Sequence, residues 1–381
     1  MATKVHSQNT VSYPHQKANA TQLIGLSKQL GKAIADCIKS ISEQHEKILQ
    51  KYAESKDKSL LSQGVWYPRD YAEHLRSDDP KQVGNKRYQW LRERNYLSAG
   101  YLDIKKFDSV KIMNVVQGYE FIIKKECLPS DALKAAIVGL SILDCGAVVT
   151  MARYKALLDV LGEKKFNHLF QGKLNIGYAD NDLQPMRYFV NFTKGAKDAA
   201  INGRIGKIGH RYIQIGDAVS MNGVRTYFQK HPSGMDSNYN VVCSDATPGN
   251  QRFVGHGLPS KGATELEVYA IMIEEYNRNP GDIVRASNNQ LPSEQQLAKE
   301  AEPYANSKIP LNNPEKQVIG LDPCSPQAFN VELVYDLVEL PLEEISMEMV
   351  AKHPYATREY FPQISPYLND TRGISIVQEK T

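Results

Sequence analysis

The sequence predicts an α+β fold in which a helix that begins at a cysteine packs on antiparallel strands that carry a histidine. In the middle of the chain, segments with apolar residues every three or four positions alternate with short runs typical of strands. Two of these runs, YNVVCSD and QRFVGH, are separated only by ATPGN, which predicts a β-hairpin. The sequence DCG opens a long apolar helical pattern at Cys145.

Composition and charge limit the classes of function. The chain has 381 residues, of which 41% are hydrophobic and 23% charged, enough for one large core or two smaller ones. A formal net charge of +3, with acids interspersed among the bases, does not indicate a nucleic-acid or membrane partner. The first residues, MATKVHSQNTVSYPHQKANA, lack a signal-peptide core, and no segment is apolar enough to span a bilayer. We therefore expect a cytoplasmic protein, or alternatively an effector delivered without a general secretory signal.

Neither a metal nor another cofactor is predicted. The sequence contains no HExxH motif, no CxxC pair and no acidic loop with EF-hand spacing, so we expect calcium-independent chemistry. The cysteines are widely spaced and odd in number, which fits reduced thiols better than a disulfide framework. They are Cys37, Cys127, Cys145, Cys243 and Cys324.

The pattern divides the chain into three regions. Residues 1–95 form a helical N-terminal extension, in which one amphipathic helix runs from Leu23 to about Tyr52. Residues 96–285 form the predicted catalytic domain. Residues 286–381 form a C-terminal extension rich in Pro, Asn and Glu, expected to be partly irregular, with one short apolar run, VELVYDLVEL.

The helix that begins at Cys145 is the first candidate for chemistry. With Asp144 as its N-cap, Cys145 occupies the first turn, and Gly162 supplies a C-terminal stop. Unpaired backbone N–H groups and the positive end of the helix dipole favour a thiolate over a thiol at this position. Burial as a small apolar residue is the alternative interpretation of Cys145.

The hairpin supplies a candidate base. A Pro-Gly turn between its strands predicts that Val241 lies opposite His256. Because side chains alternate along strands, Tyr239, Val241 and Cys243 would share a face with His256, while Asn240 points away unless a bulge shifts the register. A cysteine at a helix start, followed about a hundred residues later by a histidine on a strand, is the order of papain-like thiol enzymes. Cys243 is a rival nucleophile, although a strand lacks the field of a helix end.

Five segments resemble the small bacterial spore-coat transglutaminases, protein-glutamine gamma-glutamyltransferases with an NlpC/P60-like, papain-type core. In chain order they are LPSDALKAAI, LDCGAV, YKALLDVLGEKKFN, IGDAVSM and NVVCSDATPGNQRFVGHGL, within residues 128–276. Neither flank of the chain resembles that family. The resemblance places the family's catalytic cysteine at Cys145, its histidine at His256, and the acid before its cysteine at Asp144.

The sequence departs from the family at one catalytic position. A second glutamate of the family falls on Tyr239, whose phenol can orient an imidazole but cannot supply a carboxylate. Asp144 acting alone, Asp236 a few residues upstream, or an altered activity are the three ways to account for this change. We favour Asp144.

The resemblance implies acyl transfer between protein substrates. The Cys145 thiolate would attack a protein glutamine, release ammonia and form a thioester that a lysine or another primary amine then resolves. Resolution by water would instead give deamidation. The alternatives are a protein glutamine deamidase, a cysteine amidase or peptidase on the same fold, and a catalytically impaired binding or coat module.

Overall fold

The computed structural model describes residues 18–67, 107–112, 118–177, 185–192, 213–231, 236–278, 302–322, 325–354 and 356. The helices in these ranges are α1 (Ala20–Ser55), α2 (Pro129–Val138), α3 (Cys145–Leu169), α4 (Tyr227–Lys230), α5 (Glu265–Asn277), α6 (Val331–Glu339) and α7 (Met347–Lys352). The strands are β1 (Val65–Trp66), β2 (Phe107–Ile112), β3 (Gly118–Ile123), β4 (Ser141–Ile142), β5 (Lys173–Gly177), β6 (Val190–Phe192), β7 (Ala218–Asn222), β8 (Asn238–Asp245), β9 (Arg252–Val254), β10 (Gly320–Leu321) and β11 (Gln327–Phe329).

The central sheet of the described residues is antiparallel. Its strands follow the order β6-β11-β7-β8-β9, and the short strand β10 pairs with the C-terminal end of β7. Strands β2, β3 and β5 form a second antiparallel sheet, and β1 pairs in parallel with β4. The prediction of a mixed helix-and-sheet fold is confirmed. None of the helices that the structure describes combines the length and apolarity needed to cross a lipid bilayer.

Helix α1 matches the predicted amphipathic helix. Its N-cap Asn19 forms a capping box with Gln22 in the first turn, and the helix ends before Lys56, whose left-handed φ of 55° stops the helical backbone. Its apolar face packs against α3 and shares one hydrophobic cluster with that helix. The residues that α1 contributes are Leu30, Ile34, Ala35, Ile38 and Ile41. This part of the N-terminal region therefore belongs to the core that supports Cys145, while the predicted boundary near Asn95 lies outside the described residues.

Two glycines allow the close approach of α1 to the loop before β7. A Cβ built on Gly31 would lie 2.1 Å from the backbone oxygen of Ile215, and one built on Gly216 would lie 2.1 Å from the Cα of Gly31. Both contacts involve backbone atoms, so no side-chain rotation can relieve them. We expect Gly31→Ala to lower the free energy of unfolding by about 1–3 kcal/mol, as overpacking does.

Gly25→Ala is the matched control for this prediction. Gly25 lies on the same helix with nothing within 4 Å of a built Cβ, so its replacement should raise stability by about 0.5–1 kcal/mol. Denaturant unfolding of both variants measures the two effects. A Gly31→Ala protein as stable as Gly25→Ala would show that α1 does not approach this loop so closely.

Helix α3 is interrupted where its end was predicted. Gly162 has φ 75° and ψ 163°, which are not helical angles, so the regular helix that starts at Cys145 stops there. The chain then resumes a helical path as far as Leu169. The predicted stop is thus confirmed as a break, and the additional turns lie beyond it.

The described C-terminal residues take part in the fold. Strand β11 lies between β6 and β7 in the central sheet. The apolar run VELVYDLVEL forms α6, which buries Leu333, Val334 and Leu337 in the cluster shared by α1 and α3. The Nε2 atom of His353 lies 2.8 Å from an Asp336 carboxylate oxygen and joins the end of α7 to α6. Helix α6, in the C-terminal part of the chain, therefore packs in the same core as α3, the helix that begins at Cys145.

Candidate active site

Cys145 occupies the first residue of α3, and Asp144 is the N-cap, as predicted. The Asp144 carboxylate accepts the backbone N–H of Ala147 at 2.7 Å, which fixes the start of the helix. Only 6% of the Cys145 surface and 7% of the Asp144 surface are exposed. The nucleophile candidate is therefore shielded from solvent and follows a buried carboxyl group in the chain.

Asn240 is a site residue that sequence reasoning missed. Its backbone N–H and its side-chain Nδ2 each donate to the Cys145 sulfur at 3.4 Å. Asn240 lies on β8, so these two bonds attach the head of α3 to the central sheet. The only sequence signal for this role was the possibility of a bulge, which would turn Asn240 toward the face of His256.

A bulge does shift the hairpin register. The predicted turn is present, because the Asn250 N–H donates to the Thr247 oxygen at 3.0 Å. From the turn to Asp245 the register follows the prediction, but it changes between Asp245 and Cys243 and then pairs Val242 with Val254. The predicted pairing further along the hairpin is therefore wrong by one residue.

The shifted register brings His256 to the level of Asn240. A Cβ built on Gly255 would lie 2.9 Å from a Val241 methyl carbon and 3.4 Å from the Asn240 oxygen, so Gly255 stands beside Val241. The next residue, His256, thus follows beside Asn240, on the face that receives Cys145. The prediction that Val241 lies opposite His256 is corrected by this placement.

Tyr239 and Cys243 lie on the other face of the sheet. Both belong to a hydrophobic cluster with Val268 and Met272 of α5, whereas Val242 and its partner pack toward α3. The prediction that Tyr239 and Cys243 share the face of His256 is wrong, because the bulge exchanges the two faces beyond it. A catalytic role for Tyr239 stays a prediction. In such a role the Tyr239 side chain would have to act from the opposite face of the sheet.

A second set of contacts brings His256 to the head of α3. Its ring lies 5.6 Å from the ring of Tyr67, edge to face, and 6.3 Å from the ring of His45. Tyr67 directly follows β1, and the Trp66 oxygen accepts the N–H of Leu143, 3.0 Å away and two residues before Cys145. His256 contacts Tyr67 after β1, and β4, the partner of β1, lies just before Cys145 in the chain. These contacts place His256 and Cys145 in the same region of the molecule.

Burial controls the state of the sulfur. Desolvation, with the nearby Asp144 charge as the next cause, raises the pKa of Cys145 to about 12. The two Asn240 donors act in the opposite direction but do not outweigh burial. Burial therefore acts against the thiolate that the helix start was expected to favour.

Asp144 has a carboxyl group that can exchange protons near neutral pH. Burial raises the pKa of Asp144 to about 6, although hydrogen bonds from the backbone N–H groups of Ala147 and Gly146 lower it. A catalytic acid or base works best when its pKa is close to the working pH. Asp144 therefore combines a structural role at the helix start with a suitable pKa.

Asp236 is a second buried carboxyl group near the sulfur. Its charge is among the causes that raise the pKa of Cys145. The phenol of Tyr239 donates to one of its oxygens at 3.3 Å, and that of Tyr227 to the other at 3.4 Å. Two tyrosines behind the sheet thus hold this carboxylate in place.

The described residues contain no group of three or more His, Cys, Asp or Glu side chains that could hold a metal ion. Four of the cysteines are described, and each is a free thiol: Cys37, Cys127, Cys145 and Cys243. Cys324 lies outside the described residues.

The comparisons with known proteins found similarity among solved structures. No protein-family model matches the sequence, and no curated protein matches it. Among solved structures, the chain is similar to a transglutaminase from Geobacillus stearothermophilus without its C-terminal extension, at 13% sequence identity and a TM-score of 0.43. The match covers 85% of this chain and 100% of that chain.

Proposed function

We propose that the protein is a papain-like cysteine acyltransferase that transfers the acyl group of a protein glutamine to a lysine or another primary amine. The observation that carries the proposal is the buried Cys145 thiol at the first residue of α3, bound by Asn240 on β8, which pairs with β9, the strand that precedes His256. Papain-like thiol enzymes use a nucleophile at a helix start and an imidazole from the facing sheet, and we assign these two roles to Cys145 and His256. The segments LDCGAV and FVGHGL, which resemble transglutaminases, favour a glutamine side chain as the acyl donor.

The first half-reaction begins from a neutral thiol. Because the pKa of Cys145 is about 12, the proton must leave as the sulfur attacks, and the His256 imidazole accepts it. The sulfur forms a bond to the carbon of the γ-carboxamide, and the C–N bond then breaks. The leaving nitrogen takes a proton from His256 or from Asp144 and departs as ammonia, which leaves a thioester on Cys145.

Asn240 is positioned to stabilise the tetrahedral intermediate. Its two N–H donors lie 3.4 Å from the sulfur, close enough to reach an oxygen on the carbon that the sulfur attacks. Preorganised donors of this kind are usually the largest single contribution in acyl transfer. The backbone N–H of Cys145 at the helix start is a further candidate donor.

The second half-reaction decides between transfer and hydrolysis. An amine that attacks the thioester gives an isopeptide bond, whereas water gives a glutamate side chain. With only 6% of Cys145 exposed, the closed site gives water little access to the thioester. The same shielding also limits access of the larger amine, so the products decide between the transferase and the deamidase.

The acid of the site is assigned to Asp144. We expect Asp144→Ala to lower kcat by about 10²-fold or more, because it removes a proton-exchanging carboxyl group beside the nucleophile. Tyr239→Phe should lower kcat far less, since it removes one phenol that supports Asp236 from the other face. Rates of amine incorporation measure both effects.

Asp144→Asn is the control that separates the carboxyl group from the helix cap. Asparagine also caps helices well, so this variant keeps the start of α3 while it removes the carboxyl proton. A loss in Asp144→Asn equal to that in Asp144→Ala supports proton exchange by Asp144. Full activity in Asp144→Asn, or a larger loss in Tyr239→Phe, would refute the assignment.

A product assay tests the proposed function. The purified protein is incubated with a glutamine-rich donor protein and a fluorescent primary amine, and covalent amine, free ammonia and peptide fragments are measured. Amine incorporation supports the transferase. Ammonia release without incorporation would identify a deamidase, and fragments would identify a peptidase. The absence of all three products would favour a binding or coat module.

A further inference from the structure

The loop that carries His256 is fixed at its base. It leaves β9 and returns to α5, and Phe253 and Ala263 exchange both backbone hydrogen bonds at 2.8 Å where it begins and ends. The Arg252 guanidinium also donates to the Gly262 oxygen at 3.1 Å. These bonds fix the ends of the loop, and Leu258 within it packs into the hydrophobic cluster with Val268 and Met272 of α5.

Helix α1 holds the tip of this loop. The Glu46 carboxylate accepts two hydrogen bonds from Ser260, one from the backbone N–H and one from Oγ, both at 2.8 Å. The preceding residue, His45, places its ring 4.7 Å from that of Trp66 and 6.3 Å from that of His256. One turn of α1 therefore approaches the loop at its tip and at its catalytic residue.

We propose that Glu46 is a positioning residue that sets the place of His256 relative to Cys145. Because α1 packs along α3, the Glu46 contact connects the loop of the base to the helix of the nucleophile. Two acceptor oxygens on two donors of one residue restrict both the position and the orientation of the loop. The inference rests on the proposed function for its catalytic meaning, and it gives the N-terminal helix, which the resemblance does not cover, a role in the reaction.

Kinetics provides the first test. A misplacement of about 1 Å can reduce a rate by up to ~10²-fold, so we expect Glu46→Ala to lower kcat about tenfold or more with little change in KM. Ser260→Ala should lower kcat less than Glu46→Ala does, because the backbone N–H of residue 260 still donates to Glu46. Glu54→Gln is the matched control, since Glu54 lies on the same helix and bonds to the exposed Gln50. Thermal unfolding shows whether each variant is folded.

Alkylation provides a second test that does not need the transferase activity. The rate at which iodoacetamide modifies Cys145, resolved from the other cysteines by peptide mass spectrometry, is measured against pH in the wild type, Glu46→Ala and His256→Gln. An imidazole in place accepts the thiol proton and raises this rate near neutral pH. The Glu46→Ala profile should therefore move from that of the wild type toward that of His256→Gln.

The outcomes separate this inference from the proposed function. A Glu46→Ala profile identical to that of the wild type, or an equal effect in Glu54→Gln, overturns the positioning role. If Glu46→Ala does not fold, Ser260→Ala and Glu46→Gln decide by the same two measurements. A wild type that incorporates no amine contradicts the proposed function alone, because the alkylation profiles still report how His256 is placed.

Discussion

Replacement of Cys145 with alanine should reduce amine incorporation to background, a loss of about 10⁴-fold or more, because no other group in the site can form the thioester. The fold should be retained, since alanine also suits the first turn of α3 and Asp144 still caps the helix. Incorporation of a fluorescent amine and thermal unfolding, measured on the same preparation, check both parts of the prediction.

Cys243→Ala is the matched control for the nucleophile. Cys243 is fully buried on the other face of β8, where its thiol donates to the Asp245 oxygen at 3.3 Å. Burial raises the pKa of Cys243 to about 12, as it does for Cys145. Cys243 differs from Cys145 because it lies within a strand and not at the start of a helix, on the face opposite to that of His256. We expect Cys243→Ala to keep its activity and to lose about 1–2 kcal/mol of stability. Activity that survives in Cys145→Ala and disappears in Cys243→Ala would reverse the assignment.

Replacement of His256 with glutamine should lower kcat by about 10²–10⁴-fold, the range of general base catalysis. The pH dependence of the residual rate in His256→Gln should also differ from that of the wild type. With the pKa of Cys145 at about 12, the thiolate fraction grows about tenfold per pH unit from pH 7 to 10, and the variant should follow it. The wild type should depend on pH less steeply, because the imidazole takes the proton during the attack.

His168→Gln is a suitable control for the loss of an imidazole. His168 lies at the opposite end of α3, where its Nε2 bonds to the Ile345 oxygen at 2.7 Å. Its replacement should leave kcat and the pH profile unchanged. A His256→Gln variant with the kcat and pH profile of the wild type would show that the base is another group.

The local features of the site were predictable from the sequence. Asp144 followed by an apolar helical pattern predicts the start of α3, and the Pro-Gly turn predicts the hairpin, because caps and turns depend on neighbouring residues. Thr264 and Glu267 form a capping box at the start of α5 for the same reason. These elements were sufficient to select Cys145 and His256, although their catalytic roles stay predictions.

The tertiary features were not predictable. The bulge near Cys243 changes which face each later residue occupies, so Asn240 took the position expected for its neighbour. The insertion of β11 between two strands far from it in sequence, and the contact of Glu46 with Ser260, depend on packing between distant segments. Burial also raises the pKa of Cys145, in the direction opposite to the one expected from its place at the helix start.

In the proposed acyl transfer, the imidazole of His256 must lie close enough to the sulfur of Cys145 to accept its proton. A short bifunctional haloketone can alkylate a thiol and then an imidazole within its reach, and peptide mass spectrometry identifies the residues that it joins. A monofunctional haloketone confirms that the reagent enters the site. We expect one cross-link between Cys145 and His256. Alkylation of Cys145 that never extends to His256, or that joins Cys145 to a different histidine, would contradict the account.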